Sequence, residues 1–338
     1  MQRLHAPARV AGVLVGLLVV AGVVLYLVPS NDYIFLPDQA HPVAPLVRVQ
    51  GGHPPAGPGG IYFVDVFERR ASMLESLFPF IRSGATLVPA KLIVPPGSND
   101  TAVRRADLQE MTISQQVAAA VALRRLGYHV VAVPDGVIVS EILGGTSAPG
   151  KLQPSDVIVT AAGKPTPTIA KLREALDGVH PGAPVTLRVH RGAKTLTIRV
   201  KTTPDPQDHN RALVGFVPDQ AAAIHLPIRV QIDAGNVGGP SAGLAFALQL
   251  MEDLGPRIDR GYRIAATGEM NLDGTVGAIG GIKQKTFGAR EAKADVFLVP
   301  AAGDNAADAR RYAHGLRIIA VKSFPQALHA LATLPPKR

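Results

Sequence analysis

The chain contains no cysteine, which excludes disulfide frameworks, thiolate zinc sites and cysteine nucleophiles. That absence does not fix a compartment, but an extracytoplasmic protein without disulfides must rest on its core alone. Charged residues are sparse, at 18%. The formal charge is +9, yet no basic block or aromatic interleaving concentrates it. The charge therefore reads as solvated surface, and nucleic acid is not an expected partner. A phosphate-binding loop is also missing: no glycine cluster is followed directly by Lys and then Ser or Thr.

What is present is a 338-residue chain that is 47% hydrophobic, long enough for a membrane segment and two or three small domains. Val10 to Val28 carry no charge. As a helix they would span roughly 28 Å, close to the hydrocarbon thickness of a bilayer. Arg3 and Arg9 precede the run, and Asp32 and Asp38 follow it. The positive-inside bias then predicts a cytoplasmic tail over 1–9, a single transmembrane helix over 10–28 and extracytoplasmic domains in the cell membrane beyond it. A cleaved signal peptide is the rival, disfavoured because the apolar run exceeds an ordinary signal core.

Leu36 to Pro45 read as a proline-bearing spacer and Gly51 to Gly60 as a loop. Ile61 to Val66 read as a strand, "RASMLESLFPFI" as a helix interrupted by Pro79, and Leu108 to Gly127 as a helix. From His129 to Thr203, short β-branched runs separated by Gly, Pro and Asp turns surround one helix, "TIAKLREALDG", with Thr168 as its N-cap. This predicts a small, partly open barrel. A third unit, 212–334, mixes strands and helices. Ile224, Leu226, Ile228, Val230 and Ile232 alternate as on a half-buried strand, and Asp273-Gly274 signal a two-residue hairpin. The strand "DVFLVP" and three further helices complete a mixed α and β layer fold.

Chemistry concentrates in "GNVGGPSAGLAFALQLMEDLG", Gly235 to Gly255. Ser241 at a helix start could simply cap it. Gly235, Gly238, Gly239 and Gly243, however, clear space around the hydroxyl, and the helix N-terminus offers amide donors and a positive dipole to an oxyanion. A serine nucleophile needs a base. Gly239 to Gly243 formally fit the G-x-S-x-G elbow, with Asp304 or Asp308 and His314 or His329 in the required order, but no HGGG-type loop precedes it. Lysine is the better base. Lys283 falls in the first turn of the helix begun by "GAIGGIKQK", where the dipole and Ile279 and Ile282 favour a neutral amine. Lys285, about 200° around the helix, reads as a solvated surface lysine.

Two resemblances follow from these phrases. "GVIVSEILGGTSAPGKLQPSDVIVTAAGKPTPTIAKLREAL" resembles a bacterial PDZ domain over 129–203, with Ser155 where that family usually has Gly. It implies peptide capture, with Gly136, Val137, Ile138 and Val139 and the helix positions Ile169, Leu172 and Leu176 as groove walls. "GGPSAG", "TGEMNLDGTVGAIGGIKQKTFGA" and "DVFLVP" resemble the proteolytic domain of Lon proteases over 212–334. That resemblance implies Ser241 as nucleophile, Lys283 as general base, Thr267 as the hydroxyl orienting the lysine, and an oxyanion hole of backbone amides at Gly239, Pro240 and Ala242. Glu269 would be a structural hydrogen-bond partner. Gly238 stands where ATP-dependent members usually have Asp.

"GGIYFVDV" and "SQQVAAAVALRRLG" also resemble the first strand and first long helix of that domain. Residues 46–127 are therefore expected to belong to the protease fold, with the PDZ domain inserted into it. Together the features resemble the PDZ-bearing, membrane-anchored, ATP-independent Lon-like serine proteases. The fold class implied is α+β, with a small barrel-like PDZ domain preceding or inserted into a Lon-type proteolytic domain and one N-terminal transmembrane helix. Protein or peptide substrates are expected, with no cofactor and no metal, and a homo-oligomer by analogy with Lon relatives. The rival is a membrane-anchored PDZ adaptor with an inactive protease fold.

Overall fold

The computed structural model describes residues 5–53 and 57–337. Arg3 of the predicted tail and Pro54 to Ala56 of the predicted loop lie outside the described residues. Helix α1 (His5–Leu27) follows from the apolar run. Its window Val10–Leu27 has a mean hydropathy of 2.8, and none of that window is buried.

Strand β1 (Pro29–Pro37) continues from α1 and lies between β5 (Val66–Ser72) and β6 (Thr86–Pro89) in an antiparallel sheet. Ser72 and Glu75 form a capping box that starts the short helix α2 (Met73–Leu77), and Pro79 then opens a single 3-10 turn. Short helix α3 (Ala90–Ile93) follows β6. Helix α4 (Asp100–Arg125) begins earlier than the sequence predicts because the Asn99 side chain accepts from the Ala102 amide and caps the first turn.

The mixed five-stranded sheet is assembled from both ends of the chain. Strands β2 (His41–Pro42) and β4 (Gly60–Phe63) precede the PDZ residues, whereas β16 (Arg263–Ala266), β19 (Val296–Pro300) and β20 (Arg317–Val321) follow them. Their order is β2-β4-β16-β19-β20, with β4 parallel to β16 in the register Ile61↔Ile264. The small pair β3 (Val47–Val49) and β15 (Val230–Ile232) also joins the two ends. Alternation sends Ile264, Ala266, Val296 and Leu298 to one face and Ala265, Phe297 and Val299 to the other. The first face carries α4, α6 (Gly243–Leu254) and α9 (Phe324–Ala332). The second carries α7 (Ile282–Glu291) and α8 (Asn305–Arg311). A central strand buried on both faces reads as a continuous apolar run, which is why "DVFLVP" lacks alternation.

The PDZ sheet has the order β11-β10-β8-β7-β14. It comprises β7 (Val131–Ile142), β8 (Val157–Ala161), β10 (Pro184–Arg191), β11 (Lys194–Lys201) and β14 (Phe216–His225), with β9 (Lys164–Pro165) beside β8. Helix α5 (Ile169–Leu176) packs over it, capped by Thr168. Ser155 holds the left-handed turn usually given to glycine, at φ 65°. Such a conformation costs a non-glycine residue about 1–2 kcal/mol. Two short strands, β12 (Thr203–Pro204) and β13 (Ala212–Leu213), pair between β11 and β14.

Two sequence expectations are corrected here. The strand expected across 224–232 is split, since β14 pairs along β7 before the chain crosses to β15. Residues 216–225 therefore belong to the PDZ sheet, although Ile224, Leu226, Ile228 and Val230 keep the alternation and pack with Leu123 of α4 and Leu254 of α6. The hairpin at Asp273-Gly274 is wider than two residues, because Asn271 to Thr275 connect β17 (Glu269–Met270) to β18 (Val276–Gly277).

Candidate active site

Ser241 occupies a 3-10 turn, Pro240–Ala242, immediately ahead of α6. Gly239 enters that turn at φ 82°, open to glycine without strain. Helix α4 holds the approach: Asp107 O accepts from Gly239 N at 2.8 Å, and Ser114 Oγ donates to Pro240 O at 2.9 Å. A Cβ at Gly238 would lie 2.7 Å from Asp107 Cβ, so this packing leaves no room for a carboxylate side chain there. Ser241 O accepts from Gly268 N at 2.8 Å and from Thr267 Oγ1 at 3.1 Å. The serine backbone is thereby locked to the end of β16.

The amine that meets the serine is Lys285. Its Nζ lies 2.7 Å from Ser241 Oγ and 3.5 Å from Thr267 Oγ1. Lys283, the base expected from the sequence, points elsewhere: its Nζ donates to Ala85 O at 2.8 Å and sits 5.7 Å from the Tyr312 ring centroid. The reason is the rotation between the two positions. On α7 the stripe Ile282, Lys285, Thr286 and Ala289 faces inward, while Lys283 lies off that stripe and remains half-buried. The apolar spacing of Ile282 and Ala289 was the signal in the sequence that could have placed Lys285 on the buried face.

Burial pushes the Lys285 amine down to about 8, opposed by the carboxylate of Asp65. Asp65 itself is raised by burial and by Asp38, and its buried Oδ1 has no hydrogen-bond partner among the described residues. A cavity of about 860 Å³ opens onto Ser241 and Lys285, bounded by Tyr33, Phe35, Val66 and Glu68 on one side and by Val103, Asp107 and Val237 on the other. Burial raises Glu68 to about 7 and also raises Asp107.

The predicted oxyanion set changes. Gly239 N–H is already donated to Asp107 O, and Pro240 has no N–H. Ser241 and Ala242 keep amides in the first turn, where a helix supplies no backbone acceptor. Glu269 makes no side-chain hydrogen bond among the described residues; burial and Asp219 raise it, so it is not the hydrogen-bond partner expected. Asp304, Asp308, His314 and His329 make no hydrogen bond to Ser241, whose hydroxyl is met by Lys285.

The PDZ groove also departs from expectation. Gly136, Val137, Ile138 and Val139 lie inside β7, flanked by β14 and β8, so that strand has no free edge for a peptide. Val139 N donates to Asp156 O and Val139 O accepts from Ser155 N, both at 2.8 Å. The open groove, about 440 Å³, lies instead between α5 and the outer side of β14. Ile169, Leu172 and Leu176 line it as expected, now facing Leu213, Phe216 and Pro218.

Residues 214–333 match the Lon protease (S16) C-terminal proteolytic domain, and residues 124–202 match the PDZ domain. The chain carries a Lon-type proteolytic domain and a PDZ domain. Lon protease 1 of Sorangium cellulosum is 38% identical over 112 residues, covering 30% of this chain and 13% of that protein. Lon protease 2 of Bacillus subtilis is 31% identical over 150 residues, covering 43% of this chain and 26% of the relative. These matches thus span about a quarter or less of either relative's length. Among solved structures, the PDZ domain of the SdrC-like protein from Listeria monocytogenes is 20% identical with a TM-score of 0.23, covering 25% of this chain and 87% of that one. The Lon-type match begins at residue 214, yet its sheet takes β4 from before the PDZ domain.

Proposed function

We propose that the protein is an ATP-independent serine endopeptidase working through a Ser241–Lys285 dyad. The observation that carries this reading is a buried lysine, pushed down to about 8, with its amine 2.7 Å from a serine hydroxyl at a helix N-terminus. Neutral Lys285 takes the Ser241 proton as the oxygen attacks a peptide carbonyl. The amides of Ser241 and Ala242, at the positive end of the α6 dipole, hold the tetrahedral anion. Lys285 then returns the proton to the departing amine, and water releases the acyl group. Thr267 keeps the lysine and the serine backbone aligned from one side chain.

The cavity of about 860 Å³ that opens onto Ser241 favours protein or peptide substrates. The groove between α5 and β14 offers a strand edge beside an apolar helix face, the arrangement that captures peptides by β-augmentation. The exposed apolar helix α1 supports a single-pass membrane anchor, and Arg3 and Arg9 before its uncharged run favour a cytoplasmic N-terminus with extracytoplasmic substrates. Assembly as a homo-oligomer is proposed by analogy with Lon relatives alone. Cleavage of casein or a fluorogenic peptide by the purified chain, abolished by Ser241→Ala, tests the enzymatic reading. A wild-type chain that captures peptides but never cleaves them would make it an adaptor.

A further inference from the structure

We infer that the segment Leu77 to Ile81 is a second membrane contact, dipping into the lipid interface beside the exit of α1. This rests on α1 being a membrane anchor. Helix α2 packs against α1, and Met73 N donates to Val28 O at 2.8 Å, one residue past the span. Ser76 Oγ further ties α2 to Ser30 Oγ at 2.8 Å and to Asp32 Oδ2 at 2.7 Å. The position of α2 relative to the membrane exit is therefore fixed.

The polarity of the segment that follows is reversed relative to a water-facing surface. The acid of α2 just before it, Glu75, is buried against Arg69 and Arg82 at 2.6 and 3.4 Å. The segment's large apolar side chains face outward: Leu77 is 55% exposed, Phe78 42%, Phe80 81% and Ile81 54%. Phe78 and Phe80 pack edge to face, 6.0 Å apart, so they form one patch. Contiguous apolar exposure of this kind marks an interaction surface. The occupant follows from distance along the chain. Leu77 lies roughly 6 Å along α2 from Met73, a length comparable to the headgroup layer on one side of a bilayer. Side chains held that close to a membrane exit meet lipid before any soluble partner, and an apolar loop at the interface is stabilised there.

Because the chain lacks cysteine, a single introduced one can be labelled uniquely. Full-length Phe80→Cys, Ile81→Cys, Leu18→Cys and Val133→Cys chains would each carry an environment-sensitive fluorophore in lipid nanodiscs. Quenching would be read with aqueous iodide and with spin-labelled lipids bearing the quencher near the headgroup or deep in the chains. All four positions are solvent-exposed outside lipid, so the labels disturb no core. The labels at 80 and 81 should be quenched by the shallow lipid probe and shielded from iodide by about threefold or more relative to the label at 133. The label at 18 should respond to the deep probe. Iodide access at 80 and 81 equal to that at 133, with 18 still quenched by lipid, overturns the inference and leaves the anchor standing. Loss of lipid quenching at 18 overturns the anchor and the inference together. Shielding at 80 that rises with protein concentration and ignores the lipid quenchers would assign the patch to a second copy and refute the membrane contact.

Discussion

Replacing Lys285 by Met should make the protein inactive and more stable at neutral pH. The amine is 2.7 Å from Ser241 Oγ and almost fully buried, and its ionisation is depressed from 10.5 to about 8 by that burial. Below pH 8 both the folded and unfolded chains carry the proton, and the folded state bears the whole cost of a buried charge. Between pH 8 and 10.5 the unfolded lysine holds a proton that the folded one has released, so stability rises with pH across that window. A difference of about 2.5 pH units, at about 1.4 kcal/mol each, puts the cost near 3 kcal/mol at pH 7. Methionine fills a similar volume without the charge. It forfeits the attraction to Asp65 and the contact with Ser241, so the net gain should be about 1–3 kcal/mol. Calorimetry of the full chain in detergent should show the catalytic unfolding midpoint higher in the variant by on the order of 5 °C at pH 7. The difference should shrink towards zero by pH 10.5. A variant less stable at pH 7, or a difference that ignores pH, would refute the reasoning.

The same ionisation governs the rate. Peptide hydrolysis should follow the neutral fraction of Lys285, about a tenth at pH 7 and a half near pH 8. It should therefore rise to a plateau above pH 9, and steady-state profiles of kcat/KM would read the midpoint. Thr267→Val removes the hydroxyl that reaches both Ser241 O and Lys285 Nζ. It should lower kcat by about 10- to 100-fold and cost about 1–2 kcal/mol of stability, measured by single-turnover kinetics and thermal unfolding. Leu213→Asp places a charge in the groove between α5 and β14. Capture of an apolar peptide should fall by about tenfold or more in fluorescence anisotropy, with hydrolysis of a short peptide at Ser241 unchanged.

Much of this arrangement was legible in residue order. Glycines around Ser241, the uninterrupted run of "DVFLVP" and the turn chemistry of the PDZ segment are local signals, set by the backbone freedom or burial each position needs. The strand "GGIYFVDV" was recognisable before the PDZ domain, and β4 does pair with β16 beyond it. Three features were not legible, each for a reason of three-dimensional packing. The rotation of α7 is set by the face it turns to β16 and β19, not by its first turn, and this exchanged Lys283 for Lys285. The free edge of the PDZ sheet depends on where β14 pairs, so β7 looked like an edge when it is an interior strand. The missing acid at Gly238 becomes intelligible once Asp107 of α4 is seen occupying its space.

A decisive comparison sets Lys285→Ala against Lys283→Ala in one hydrolysis assay, with an active-site fluorophosphonate probe reporting on Ser241. Lys285→Ala should lose about 10³-fold or more in kcat and most of its probe labelling. Lys283→Ala, which removes contacts to Ala85 O, Thr86 Oγ1 and the Tyr312 ring but none to Ser241, should stay within about tenfold of wild type. The reverse ranking would show that the lysine 2.7 Å from the serine hydroxyl is not its base.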